Sequence, residues 1–246
     1  RYVYELTSCM FRTDSSNFLQ TEPVSCGGVL IYSESDDCSI GDILICHGEI
    51  TLWKRASNEG AFDAKAYYFA RGFDFAMEGP ALDRKVCAKR QTAEALWQLG
   101  QRIKEVYLKT MGERDAGILA TMVVGDREFL DAETKRLYQI GGLSHILAIS
   151  GLHISVIGMA LYRMLKKAGL PFGMAALAAA GVMYGYGGMA GWGVSVRRAV
   201  LMFLLFLGAQ VSGRSYDTFC ALAFAAVALL WKNPCLFWDA GFRFSF

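Results

Sequence analysis

Lys167-Ala-Gly-Leu-Pro-Phe-Gly-Met-Ala-Ala-Leu-Ala-Ala-Ala-Gly-Val-Met-Tyr-Gly-Tyr-Gly-Gly-Met-Ala-Gly-Trp-Gly-Val-Ser-Val-Arg197 holds 29 consecutive residues without a charged side chain between its basic ends. A helix needs about 20 mostly apolar residues to cross the hydrocarbon core of a bilayer. Working outward, Arg136 and Arg163 enclose another 26 uncharged residues. Ala199–Gly213 and Thr218–Trp231 add runs of 15 and 14, which span only by recruiting flanking residues. One such run suits the core helix of a soluble protein; four in succession point to a polytopic α-helical membrane region. The quoted stretch also carries eight glycines. Gly169/Gly173, Gly181/Gly185 and Gly187/Gly191 are four apart, the spacing that lets helices approach closely in lipid. Gly187-Gly188 and Gly191-Trp-Gly193 suit a broken or re-entrant segment as well.

The other half of the chain is of a different kind. Of 246 residues with net charge +2, residues 1–143 carry 17 Lys and Arg against 21 Asp and Glu, whereas residues 144–246 carry 8 against 2. The 54% hydrophobic content excludes a disordered chain. Residues 1–7, Gly28–Tyr32 and Asp42–Ile50 read as short strands between Ser-, Asp- and Gly-rich turns. About five strands in so short a span predict a small barrel. In residues 92–111, Leu96, Leu99, Ile103, Val106 and Tyr107 recur at steps of three or four, an amphipathic helix that lies on a membrane surface or packs on the barrel. The expected class is an α+β membrane protein: a β-barrel over residues 1–80, a helical connector over 81–143, and the start of a transmembrane domain over 144–246. The chain begins without Met and stops inside an apolar stretch, and so reads as a fragment of a longer protein. Arg163, Lys166 and Lys167 close the first uncharged run, and short basic loops favour the cytoplasm. The barrel is then extracytoplasmic.

The segment Gly142-Leu-Ser-His-Ile-Leu-Ala-Ile-Ser-Gly-Leu-His-Ile154 resembles the signature of the ComEC family of bacterial competence proteins. Further pieces follow in the family's order: Asn58-Glu-Gly-Ala-Phe-Asp63 with Tyr67 and Arg71-Gly72, Val124-Gly-Asp-Arg127, Arg198-Ala-Val-Leu-Met202, and Asn233-Pro234 with Asp239-Ala-Gly-Phe-Arg-Phe-Ser-Phe246. The resemblance covers roughly residues 25–246. It implies that the barrel is like an oligonucleotide-binding (OB) fold. It also implies a channel in the bacterial cytoplasmic membrane that translocates single-stranded DNA during natural transformation. Implied partners are the DNA, membrane lipid, a DNA receptor and a cytoplasmic helicase; a homo-oligomer is left open. Many family members end in a metallo-β-lactamase-like, nuclease-like domain that is absent from these residues, so no enzymatic chemistry, cofactor or metal is assigned to them.

Within the apolar region, His145, Ser150 and His153 are polar groups at membrane depth, where such groups face a bundle interior or an aqueous path. They line a DNA conduit or lock helices together by hydrogen bonds. One helix would hold the two histidines about 12 Å apart, too far to share a metal ion. Ser150 and His153 share a helix face, which raises an intramembrane serine hydrolase as the rival reading. An unrelated polytopic transporter is the third. The hydrolase lacks the Gly-x-Ser-x-Gly elbow and the remaining parts of a triad. Arg197 and Arg198 are the only charged residues in Ala168–Gly213. They read as phosphate-handling cations in or near the pore, because arginine forks onto phosphate, or else as a plain loop.

Residues 1–83 carry 6 Lys and Arg against 13 Asp and Glu, which argues against a basic single-strand-binding groove. Trp53, Lys54 and Arg55 form the one compact basic-aromatic cluster and are the candidate DNA contact of the barrel. Of seven cysteines, Cys9, Cys26, Cys38 and Cys46 fall in the barrel. On the extracytoplasmic side at least one disulfide among them is expected, with the pairing open.

Overall fold

The computed structural model describes residues 2–7, 9–11, 24–33, 38–58, 60–79, 81–86, 91–125, 130–142 and 151–246. Eight short strands come first: β1 Tyr2–Leu6, β2 Cys9–Phe11, β3 Val24–Cys26, β4 Gly28–Ser33, β5 Ile43–His47, β6 Ile50–Leu52, then, after helix α1 Ala64–Ala70, β7 Phe73–Glu78 and β8 Ala81–Val86. Helices follow: α2 Gln91–Thr110, α3 Glu113–Val123, α4 Ala132–Ile140, α5 Gly151–Lys167, α6 Phe172–Met189, α7 Val194–Ser212 and α8 Thr218–Lys232. A 3-10 turn, Pro234–Trp238, and α9 Ala240–Ser245 end the chain. The chain divides into two compact units. One joins residues 1–90 to residues 233–243, and the other comprises residues 91–232 with 244–246.

In the strand unit a four-stranded sheet runs β1-β4-β7-β6. β1 pairs antiparallel with β4, β4 parallel with β7, and β7 antiparallel with β6. β2–β3 and β5–β8 are separate antiparallel pairs. The expected closed barrel is therefore replaced by an open sheet and two ribbons. Closure requires the outer strands to meet, and among the described residues β1 and β6 are unpaired on their outer sides. The parallel β4–β7 pair also demands a crossover rather than a hairpin.

β4 is covered on both faces, which explains its uninterrupted Gly28-Val-Leu-Ile run. Val29 and Ile31 bury with Phe75 on one face, against Cys9, Cys26 and Cys46. Leu30 packs with Phe73, Ala76, Trp53 and Tyr68 on the other. The pairing steps from Gly28–Phe73 to Val29–Phe75, so Asp74 is the extra residue of a bulge. Its carboxylate accepts from Gly27 N–H at 2.6 Å. Gly28 is required here: a Cβ would stand 2.6 Å from the Phe73 ring and 2.9 Å from the Gly72 carbonyl. Helix α1 starts on Asp63, whose side chain accepts from Ala66 N–H at 2.9 Å, and ends before Gly72 at φ 86°, a left-handed position that suits glycine.

In the helical unit α7 packs against α5, α6 and α8. Its core holds Ile154, Ala175, Ala179, Met183, Val200 and Phe203 among others. Gly158 brings α5 and α7 close, since a Cβ there would lie 2.8 Å from the Phe203 ring. Of the glycines spaced four apart, a Cβ on Gly169, Gly173, Gly181 or Gly191 would meet nothing within 4 Å among the described residues, and one on Gly185 only Leu96. α2 packs on α6 and α3. Its buried line passes through Gly100 and Lys104, with Leu96 against Gly185 and Gly188 of α6, while Trp97, Leu99 and Val106 are left exposed. The apolar arc is wider than the seam: Leu96 seats against Gly185 and Gly188, and Gly100 meets the side chains of Val124 and Met189.

Among the described residues, one helix, Val194–Ser212, is both long and apolar enough to cross a membrane by itself. α6 is nearly as long, but five glycines and two tyrosines dilute its hydropathy, and α8 has only 15 residues. The expected break at the glycines lies after α6 rather than at Gly187-Gly188, through which the helix continues. It is made by Gly191 and Trp192, whose φ of 51° is unusual for a bulky side chain.

Candidate functional site

α5 and α7 bring two of the motif segments together. Arg198 stands in the first turns of α7 and reaches the start of α5 at Gly151. A Cβ at position 151 would lie 3.2 Å from Arg198 Nη2. A larger side chain there would displace the guanidinium, so the glycine of the Ser150-Gly151-Leu-His153 segment makes room for the cation. The Arg198 Nε is buried without a hydrogen-bond partner, and the Phe246 ring lies 5.4 Å from the guanidinium carbon.

Arg198 sits at one end of a cleft of about 470 Å³ between α5, α7 and the start of α8. Ser155, Phe203, Phe206 and Tyr216 form much of its wall. Ser155 Oγ donates to the Gly151 carbonyl at 2.7 Å, so its own donor is already used. Phe206 and Tyr216 meet edge to face at 5.5 Å. The sequence reading missed these aromatics. Their signal was the line Arg198, Met202, Phe206 at steps of four, one stripe of α7.

The other predicted residues are placed as follows. Arg197 is exposed on α7, since adjacent helical residues point about 100° apart. His153 is half-buried and lies two residues, about 200°, around α5 from Gly151, away from the Arg198 cleft. His145 and Ser150 lie outside the described residues. In the strand unit Trp53 is stacked on Tyr68 with ring centres 3.9 Å apart, and its Nε1 is buried without a partner. One face of the indole is thus occupied by the protein itself. Lys54 and Arg55 are exposed beside it. Cys9 and Cys26 are directly opposed on β2 and β3, with Cys26 Sγ 3.4 Å from the Cys9 carbonyl; Cys46 packs against the same small core, and all are thiols here. Burial, reinforced by the neighbouring Cys26, pushes the Cys9 thiol up to about 11.

A family described as "Competence protein" matches residues 122–246. The chain is 31% identical over 130 residues to ComE operon protein 3 of Bacillus subtilis, covering 53% of this chain and 17% of that protein. It is 28% identical over 207 residues to Recombination protein 2 of Haemophilus influenzae, covering 78% of this chain and 25% of that one. An uncharacterized protein of Aquifex aeolicus is 27% identical over 146 residues, covering 59% of this chain and 33% of that protein. The chain thus spans a third or less of the length of these relatives. No solved structure matches it.

Proposed function

The chain belongs to the competence-protein family, and from that premise we propose that it is part of a multi-pass channel that carries single-stranded DNA across the bacterial cytoplasmic membrane. The observation that carries this reading is the meeting of Gly151 and Arg198: two motif segments 47 residues apart converge on one cation of the stretch Ala168–Gly213, which has no other charge but Arg197. A charge at membrane depth is costly, roughly 2.5–3.5 kcal/mol on insertion scales. A passing phosphate gives it a purpose, through a charge-assisted contact that is made and released.

The outer surface of the helical unit supports the membrane part of the proposal. Leu177, Val182, Phe219, Phe224 and Val227 are all more than half exposed. So wide an apolar surface is unfavourable in water and ordinary in lipid. The multi-pass arrangement draws α5, α6 and α8 into the membrane alongside α7. Arg198 is the phosphate contact and Arg197 its flanking cation; His145 and Ser150 belong to the same path, whereas His153, turned away from the Arg198 cleft, takes the helix-locking role. The strand unit lies on the extracytoplasmic side and offers Lys54 and Arg55 to the incoming strand. A DNA receptor and a helicase are the proposed partners.

The test is a strain lacking the full-length protein, with surface-bound and internalised DNA measured separately. The expected result is DNA bound at the surface and none inside. Normal internalisation would overturn the proposal and leave an unrelated transporter. Labelling of Ser150 by a serine-reactive probe would favour the hydrolase instead.

A further inference from the structure

Tyr67, Arg71, Asn233 and Asp239 come from motif segments that the channel reading leaves without a task, and the structure gathers them in one place. α1 ends with carbonyls that have no partner within the helix. One of them, Ala70 C=O, accepts a hydrogen bond from Asn233 Nδ2 at 2.9 Å, across 163 residues of sequence. The Asn233 Oδ1 accepts from Cys235 N–H at 3.0 Å, which starts the 3-10 turn. Asp239 then buries its carboxylate, with a side chain only 2% exposed. Its Oδ1 accepts from Phe242 N–H at 3.0 Å, and its Oδ2 lies 3.7 Å from Arg71 Nε. The Arg71 guanidinium carbon stands 4.1 Å above the Tyr67 ring. Leu236 and Phe242 are buried beside these polar contacts.

We propose that residues 233–243 form a clasp, in which the strand unit binds the peptide that α8 delivers at Lys232, and that this clasp must be closed for DNA to pass. The second half of the claim rests on the channel reading. Asn233 and Asp239 are the positioning residues: Asn233 satisfies the α1 carbonyl, and Asp239 satisfies Phe242 N–H and draws in the half-exposed Arg71. A buried carboxylate loses most when its partner or its charge is removed. The two ends of the segment carry a built-in reporter, because Lys232 and Arg243 are tryptic sites at its borders.

The experiment uses the full-length protein in solubilised membranes and in cells. Asp239→Asn keeps an acceptor for Phe242 N–H and removes the ion pair with Arg71. Asn233→Ala removes the cap on Ala70. Each variant should be cut by trypsin at Lys232 and Arg243 about tenfold faster than the parent, the factor that corresponds to ~1.4 kcal/mol. The double variant should be cut faster than either single one, by up to about a hundredfold over the parent, since both weaken the same closed state. In cells each should bind DNA at the surface at the parental level and internalise less of it. Cleavage at the parental rate in both single variants overturns the clasp. Faster cleavage with unchanged internalisation overturns its role in transport. The cleavage arm reads the clasp even if the deletion strain shows the channel reading to be wrong.

Discussion

The two units solve the burial problem in different ways. In the strand unit β4 hides Val29, Leu30 and Ile31 on both faces, and its polar bulge is tied down by Asp74. In the helical unit Ala175, Ala179 and Ala199 are buried among larger residues such as Ile154, Met183 and Phe203, while Leu177, Phe219 and Trp231 face outward at 77%, 81% and 88% exposure. The first arrangement is that of a fold stabilised by expelling water. The second buries a core of its own and also leaves a wide apolar surface outside it. On the proposed membrane reading, lipid is the solvent that covers this surface. The same residue type therefore has a different role in each unit, and substitution can expose the difference.

The largest effect is expected at the centre of the strand unit. Phe75→Ala removes a buried ring from the face it shares with Val29 and Ile31, which costs about 3–5 kcal/mol. Phe219→Ala removes the same ring from an exposed site on α8 and should leave the unfolding midpoint in detergent almost unchanged. Urea or thermal unfolding of the solubilised protein checks both. Equal losses at the two positions would erase the distinction.

A second pair of substitutions sharpens it. Leu52 on β6 and Leu177 on α6 are exposed to a similar degree, 71% and 77%. Leu→Asp at a position facing water usually changes stability by less than about 0.5 kcal/mol. At mid-helix in lipid the same change costs roughly 3 kcal/mol. Leu177→Asp should thus shift α6 out of the membrane fraction in an insertion assay, while Leu52→Asp leaves the protein where it was.

The smallest effect is a dependence on pH confined to the strand unit. The folded Cys9 thiol holds its proton up to about 11, above the roughly 8.5 of a thiol in an unfolded chain. The unfolded chain releases that proton first, so stability contributed by the protonated thiol is present below about pH 8.5 and is lost as pH rises toward 11. The opposed strands also favour Cys9 and Cys26 as the disulfide expected among the four cysteines, formed when an oxidant accepts the two electrons and protons of the thiol pair. Oxidation should abolish the alkaline loss. Free-thiol counts and unfolding midpoints between pH 8 and pH 10.5, with and without reductant, test this; a midpoint independent of pH in reductant contradicts it.

What could be read in the residues followed the range of the forces involved. The helix over 92–111 and the strand at Gly28–Tyr32 carry their periodicity locally, and they form within a residue or two of expectation. The barrel was misread because closure depends on which strands meet, and the parallel β4–β7 pair joins segments more than 40 residues apart. The seam of α2 was misplaced because it depends on residues of a second helix, Gly185 and Gly188, against which Leu96 seats. At the site, Arg198 stood out as a charge in an apolar run. Its seat did not, since Gly151 matters only through an atom that arrives from α7. The clasp was invisible for the same reason, with its halves 163 residues apart.

The central claim is that Arg198 is a cation on the path of DNA. Arg198→Gln in the full-length protein keeps much of the side chain's length and removes its charge. Internalised DNA should fall by about tenfold or more, for the loss of a charge-assisted contact of ~1.5–3 kcal/mol, with the protein inserted at parental levels and surface-bound DNA unchanged. Parental internalisation by the inserted Arg198→Gln protein would contradict the claim and leave Arg198 a packed side chain of α7.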